Sequence, residues 1–214
     1  MKKTVQFIIL SILFGGFLAS CSANKGFVSS VTRDDIHQMV QFELFDIFGR
    51  VVNGVSIIED DSVTAIAKSL FEAELANSKI SPVTKTIVVS DTIVLNKIQD
   101  EIRWWSYFTW SPFQAGSVKD IPISPTIDSI LCSCDERFGL LIYNGGYTCP
   151  EGIYHPIGTG VISNRTEGYI RSAIIIVDSK LKNLAYIAHA ESNSDPLKAE
   201  THRKQLEKLL KKYK

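Results

Sequence analysis

Apolar residues along this chain recur at two spacings, and the switches between them mark its elements. Ile36, Met39, Val40, Leu44, Ile47, Phe48 and Val51 fall three and four apart, which predicts a helix over 33–52. Val40, Phe42 and Leu44 also alternate, so a strand over 40–48 is the competing reading. Asn53-Gly54 makes a turn, and Val55 to Ile58 reads as a short strand. Asp60-Asp61-Ser62 offers a cap to a helix over 62–77, whose Val63, Ile66, Ala67, Leu70, Phe71 and Leu75 share one stripe. Ser81-Pro82 ends it, and Lys85 to Val89 is β-branched enough for a strand. Ser90-Asp91 caps a second helix over 92–104. Residues 106–125, with Pro112, Gly116, Pro122 and Pro125, have no period and read as a connection. A helix over 126–137 and a strand from Phe138 to Tyr143 follow. Asn144 to Gly168 reads as a glycine-rich excursion. Ser172–Val177 and Leu184–Ala190 are two strands joined by a turn, and Asp195-Pro196 starts a final helix running to about 212. Helices alternating with strands early, and a hairpin late, predict an α/β fold: a mixed sheet flanked by helices, with a late antiparallel hairpin and a C-terminal helix.

The amino terminus follows different rules. Lys2 and Lys3 precede an apolar run from Val5 to Phe17, shorter than the roughly 20 residues a spanning helix needs. A charged start, a short apolar middle and small residues at the end mark a secretory signal. Leu18-Ala19-Ser20-Cys21 resembles the lipobox of bacterial lipoproteins. That resemblance implies cleavage before Cys21, a thioether-linked diacylglycerol on its sulfur, acylation of the new amino terminus, and hence a lipid anchor in a membrane. It divides the chain into a signal peptide (1–20), a small polar tether (21–30) and one α/β domain (31–214). Ser22 is not the Asp that marks inner-membrane retention in proteobacterial lipoproteins, so the resemblance implies an outer-membrane protein facing the periplasm.

Composition narrows the partner. Removing residues 1–20 takes away two lysines and no acid, leaving 21 basic against 23 acidic residues. Such a balance gives no electrostatic footprint for nucleic acid.

Ser62-Val63-Thr64-Ala65-Ile66-Ala67-Lys68-Ser69-Leu70, the hairpin from Ala173 to Ala190, and the helix from Asp195-Pro196 to Leu209-Leu210 are similar in arrangement to envelope lipoproteins of the TolB-N-terminal and curli-secretion (CsgG-like) type. The resemblance covers most of 55–214 and lies in element order, without a signature motif. It implies a protein partner in envelope assembly or transport, and carries no catalytic residue or cofactor onto this chain.

Candidate chemistry is sparse. No Gly-x-Ser-x-Gly, His-Glu-x-x-His or phosphate loop is present, and the four histidines share no motif, so a non-enzymatic, cofactor-free protein is expected. Cys132, Cys134 and Cys149 are read as structural thiols, with a disulfide from Cys132 or Cys134 to Cys149 as one outcome of export. Zinc on these cysteines and His155 is disfavoured, because positions two apart on a helix face different ways. Trp110, Phe113, Tyr147, Tyr154 and His155 are the residues expected to touch a partner or ligand, as amphipathic rings in stretches without a period. The alternative function is an envelope hydrolase or carbohydrate-binding protein using 144–168 as a pocket wall. A deep pocket lined by convergent polar side chains near Tyr147, Tyr154 and His155 would favour that alternative, and a flat aromatic patch would favour partner binding.

Overall fold

The structure, a computed structural model, describes residues 26–80, 82–110, 121–154 and 164–213, without the side chains of 107–110, 164 and 165. Cys21 with its lipobox, Phe113 and His155 lie outside the described residues.

The helix expected over 33–52 is instead two strands, β1 (Met39–Phe42) and β2 (Phe45–Val52). They run in line along one edge of β5 (Phe138–Thr148), both parallel to it. Gln41 lies opposite Leu140 and Phe45 opposite Tyr143. Four steps on one side thus match three on the other, so Glu43-Leu44 carries one extra residue, as in a bulge. The extra residue reverses the in–out alternation. Phe42 and Phe45, three apart, reach one core layer, while Leu44 and Met39 reach the other. An interrupted strand has therefore acquired helix-like spacing.

Beyond β1 and β2 lie β3 (Ser56–Glu59), antiparallel to β2, and β4 (Val83–Ile87), parallel to β1. The other edge of β5 is taken along its whole length by β8 (Gly168–Asp178), and β8 pairs with β9 (Asn183–Ser192), both antiparallel. The late hairpin of the expected fold is this β8–β9 pair. A second, two-stranded ribbon joins β6 (Ile153–Tyr154) to β7 (Asn164–Arg165). Residues 26–28, read as tether, extend the sheet instead: Val28 N donates to Ala185 O (3.0 Å) and Ile187 N to Gly26 O (3.1 Å).

Helices cover both faces. α1 (Asp61–Ala76) is capped by Asp60, whose Oδ1 accepts from Ser62 N and Val63 N at 3.0 Å. α2 (Thr92–Trp110) buries Ile98, Ile102 and Trp105 and outruns its expected end by two turns. α3 (Pro125–Ser133) starts on Ser124, which accepts from Ile127 N, with Pro125 in the first turn. α4 (Ala199–Leu209) starts later than expected, because Asp195 accepts from Leu197 N and closes a turn before the helix. One core layer joins Phe71 and Leu75 of α1 and Leu206 and Leu209 of α4 to Leu140, Ile142, Ile174 and Ile176. The opposite layer joins α2 and α3 to Leu141, Ile175, Val177 and Ile187. The protein is a mixed α/β sandwich, as the sequence pattern predicts.

The β8–β9 turn is fixed by Asp178, which has no exposed surface. Its carboxylate accepts two bonds from Arg137 (Nη2 at 2.7 Å, Nε at 3.1 Å) and one each from Lys180 N (2.8 Å) and Leu181 N (3.2 Å). Arg137→Ala leaves that buried charge to two backbone donors and is expected to cost about 2–3 kcal/mol in urea unfolding. Arg137→Lys, which keeps the charge but not the fork, should recover only part. An unchanged midpoint would show the pair to be structurally idle.

Candidate functional site

β5 continues past Tyr143 to Thr148, so Tyr147 belongs to a strand and not to the excursion expected from 144. Its odd positions, Tyr143, Gly145 and Tyr147, point to the α2–α3 side of the sheet. Gly145 makes room there. A Cβ at 145 would lie 2.7 Å from the Tyr143 hydroxyl, so any larger residue would make that ring shift from its place along the strand. Gly146 is tighter still, since a Cβ would fall 2.0 Å from Tyr169 O. This glycine pair lets β5 and β8 approach with their tyrosines side by side.

Three rings form a strip. Tyr147 stacks on Tyr169 of β8 at 5.8 Å between centroids, with the planes 25° apart. Tyr154 of β6 meets Tyr147 at 5.3 Å, tilted by 56°. All three are half-buried, so part of each ring remains accessible. The Tyr169 hydroxyl donates to Glu191 Oε2 of β9 at 2.8 Å. Register places Arg171 between Glu191 and Gly145 in the next row of the same face. Ile47 and Ile153 add exposed apolar surface at its margins. Beside it, a cleft of about 200 Å³ between β2 and α2 is lined by Phe45, Tyr143, Leu95, Gln99 and Arg103.

The electrostatics keep the Tyr147 and Tyr169 phenols protonated. Burial raises the Tyr169 hydroxyl above its usual range, and Glu191 adds to the effect. Burial raises Tyr147 as well, assisted by Tyr154 and Cys149. Burial lowers Arg171, against the opposing pull of Tyr169, Tyr143 and Glu191. The face therefore offers ring surfaces, hydroxyl donors, one guanidinium and one carboxylate.

Of the residues expected to make contact, the structure joins Tyr147 and Tyr154. It places the backbone of Trp110 at the end of α2. Tyr169, Arg171 and Glu191 were missed. Their signal was alternation across two strands that only the pairing of β5 with β8 brings together.

The cysteines do not pair. Cys132 and Cys134 end α3 just before β5 begins, and Cys149 follows its far end. Eleven strand residues separate them, roughly 35 Å of β5 and far beyond disulfide reach. All three are free, and the Cys149 thiol donates to Ile153 O at 3.3 Å, bracing the turn into β6. Among the described residues no group of three or more His, Cys, Asp or Glu is placed to hold a metal.

No family model matches the chain, and no curated protein matches it. Among the solved structures similar to it are two of one protein. One is the PelC dodecamer from Paraburkholderia phytofirmans, 9% identical, covering 88% of this chain and 92% of that one, with a TM-score of 0.40. The other is a variant of the same dodecamer, 10% identical, covering 86% and 90%, with a TM-score of 0.37.

Proposed function

We propose that this chain is an exported lipoprotein, anchored through Cys21 in an envelope membrane, that binds a partner in envelope assembly or transport rather than catalysing a reaction. Export and anchoring rest on Lys2, Lys3, the short apolar run and the Leu18-Ala19-Ser20-Cys21 sequence. The observation that carries binding is the strip of Tyr154, Tyr147 and Tyr169, edged by Glu191 and Arg171. A small ligand is held by enclosure. A row of half-buried, rigid rings with hydroxyls at their rims suits the extended surface of a macromolecule.

The test is cross-linking in intact cells followed by capture from detergent-solubilised membranes. Tyr147→Ala with Tyr154→Ala should reduce the cross-linked species at least roughly tenfold, since aromatic anchors at interfaces are worth on the order of 2 kcal/mol each. The melting temperature of the variant controls for folding. Cys21→Ser should release the protein from the membrane fraction. Equal capture by the alanine variant would remove the strip as the site, and continued acylation of the Cys21→Ser chain would remove the anchor. Displacement of the captured species by soluble envelope glycan would transfer the site to the carbohydrate-binding alternative, which uses the same rings.

A further inference from the structure

The two ends of the described chain are locked together. Phe27 stacks on Tyr213 at 5.6 Å and meets Tyr186 edge-on at 5.1 Å. Tyr186 and Tyr213 meet edge-on in turn at 5.2 Å, and the Tyr186 hydroxyl donates to Leu209 O at the end of α4. Gly26 is pressed against the last turn, where a Cβ would come within 3.1 Å of Lys212 Cβ. Cys21 precedes Gly26 by five residues, so connectivity alone keeps it within roughly 18 Å of Gly26. An anchor at Cys21 therefore places the end of α4 close to the membrane.

That end is cationic. The C-terminal ends of α1 and α4 enclose a groove of about 570 Å³ floored by Leu206 and Leu210. Arg33, Lys79 and Lys211 stand on its rim, exposed to solvent, and Lys212 is exposed beside it. Arg33 also lies over the Tyr213 ring at 5.9 Å. Two carboxylates share the groove, Glu74 and Glu207. Glu207 is paired with Arg203, which leaves Glu74 against Arg33, Lys79, Lys211 and Lys212. The tyrosine strip lies at the other end of the sheet. Phe27 bridges to Tyr186, which faces Ile176, and Tyr169 is seven residues along β8 from there, roughly 23 Å away.

We propose that the surface formed by the C-terminal ends of α1 and α4 faces the membrane, and that Arg33, Lys79, Lys211 and Lys212 bind its anionic phospholipid headgroups. This rests on the lipid anchor proposed above. The anchor alone leaves the body free to pivot about a short tether. Four cations clustered within reach of the anchor hold one face down and present the tyrosine strip outward. A cation near an anionic bilayer favours the docked state by about fivefold.

The experiment uses the mature, full-length protein reconstituted into vesicles of phosphatidylcholine alone or of equimolar phosphatidylcholine and phosphatidylglycerol. A membrane-impermeant amine reagent labels the lysines, and peptide mass spectrometry reads each rate along with the mass of the Cys21 peptide. Lys79, Lys211 and Lys212 should label at least about fivefold more slowly in the anionic vesicles. Lys198, at the opposite end of α4, should label equally in both. An acylated Cys21 with equal rates at all four lysines overturns the docking surface and leaves the anchor standing. An unacylated Cys21 overturns the anchor and the surface together.

Discussion

Replacing Leu206 and Leu209 together by alanine is expected to abolish the cooperative unfolding transition, or nearly so. Leu206 is 4% exposed and Leu209 fully buried, both in the layer with Phe71, Leu75, Ile174 and Ile176. Truncating a buried leucine costs about 2–5 kcal/mol, transfer and cavity terms together. Two such losses approach the 5–15 kcal/mol that holds an ordinary domain folded. Neighbouring bonds make collapse around the cavities harder. Gln205 Nε2 donates to Ile170 O at 3.1 Å, and the Tyr186 hydroxyl holds Leu209 O, so α4 is pinned at both ends of the gap. Leu210 is a useful contrast. Leu210 falls four residues after Leu206 and three before Tyr213, but it sits at the C-cap and is only partly buried. Leu210→Ala should cost about 1 kcal/mol. Urea titration of the three single variants and the double variant reads these differences. Unchanged midpoints for Leu206→Ala and Leu209→Ala would mean that α4 is not docked on the sheet.

Apart from the β6–β7 ribbon, the order of helices and strands from Asp60 onward was legible because the elements there obey one period and carry their own stops. Asp60, Asp91 and Ser124 cap where capping residues belong, and the all-apolar run Ala173–Val177 can only be a doubly covered strand. What misled most lay before Asp60. The bulge at Glu43-Leu44 shifts the strand alternation by one, and two half-strands out of phase imitate the three-and-four spacing of a helix. No local signal marks it, since the bulge is defined by its partner β5, about a hundred residues later.

The candidate site was half legible for a related reason. Tyr147 and Tyr154 stood out as rings in a glycine-rich stretch. Tyr169, Arg171 and Glu191 look in sequence like the polar side of an ordinary hairpin. Pairing Tyr147 with Tyr169, and Arg171 with Glu191, turns three separate alternations into one surface. The glycines of 144–148, read as the start of a loop, act as space for the tyrosine rings. The convergence of Gly26 on Lys212 was invisible altogether, because nothing in either terminal segment names the other.

Replacing Asp46 by asparagine is expected to stabilise the protein at neutral pH. Asp46 lies opposite Asn144, and Asn144 opposite Ser172, on the face covered by α1 and α4. Asn144 Nδ2 donates to Asp46 Oδ1 at 2.8 Å, but Asp46 Oδ2 and Asn144 Oδ1 have no partner. Burial raises the Asp46 carboxyl from 3.8 to about 6. The Asn144 bond and Lys68 pull it down, and Glu72 and Glu43 push it up, with Lys68 already paired to Glu43 at 3.2 Å. The sign follows from proton binding. Between 3.8 and about 6 the folded state holds a proton that the unfolded state has lost, so stability falls as pH rises through that window. Above it the folded protein carries a buried charge at a cost of about two pKa units, roughly 3 kcal/mol. Asp46→Asn removes the charge, keeps the acceptor for Asn144 Nδ2 and offers a donor to Asn144 Oδ1. The variant should therefore exceed the parent by up to roughly 3 kcal/mol at neutral pH, and the difference should shrink through the same window and vanish below it. Burial lowers the pKa of His202 on α4, so both proteins lose stability as pH falls below 6.5 through that group. Because His202 acts on both alike, the difference between them isolates Asp46. Urea unfolding of both proteins across this pH range makes the measurement, and a variant that is no more stable at neutral pH would show that the buried carboxyl carries no penalty.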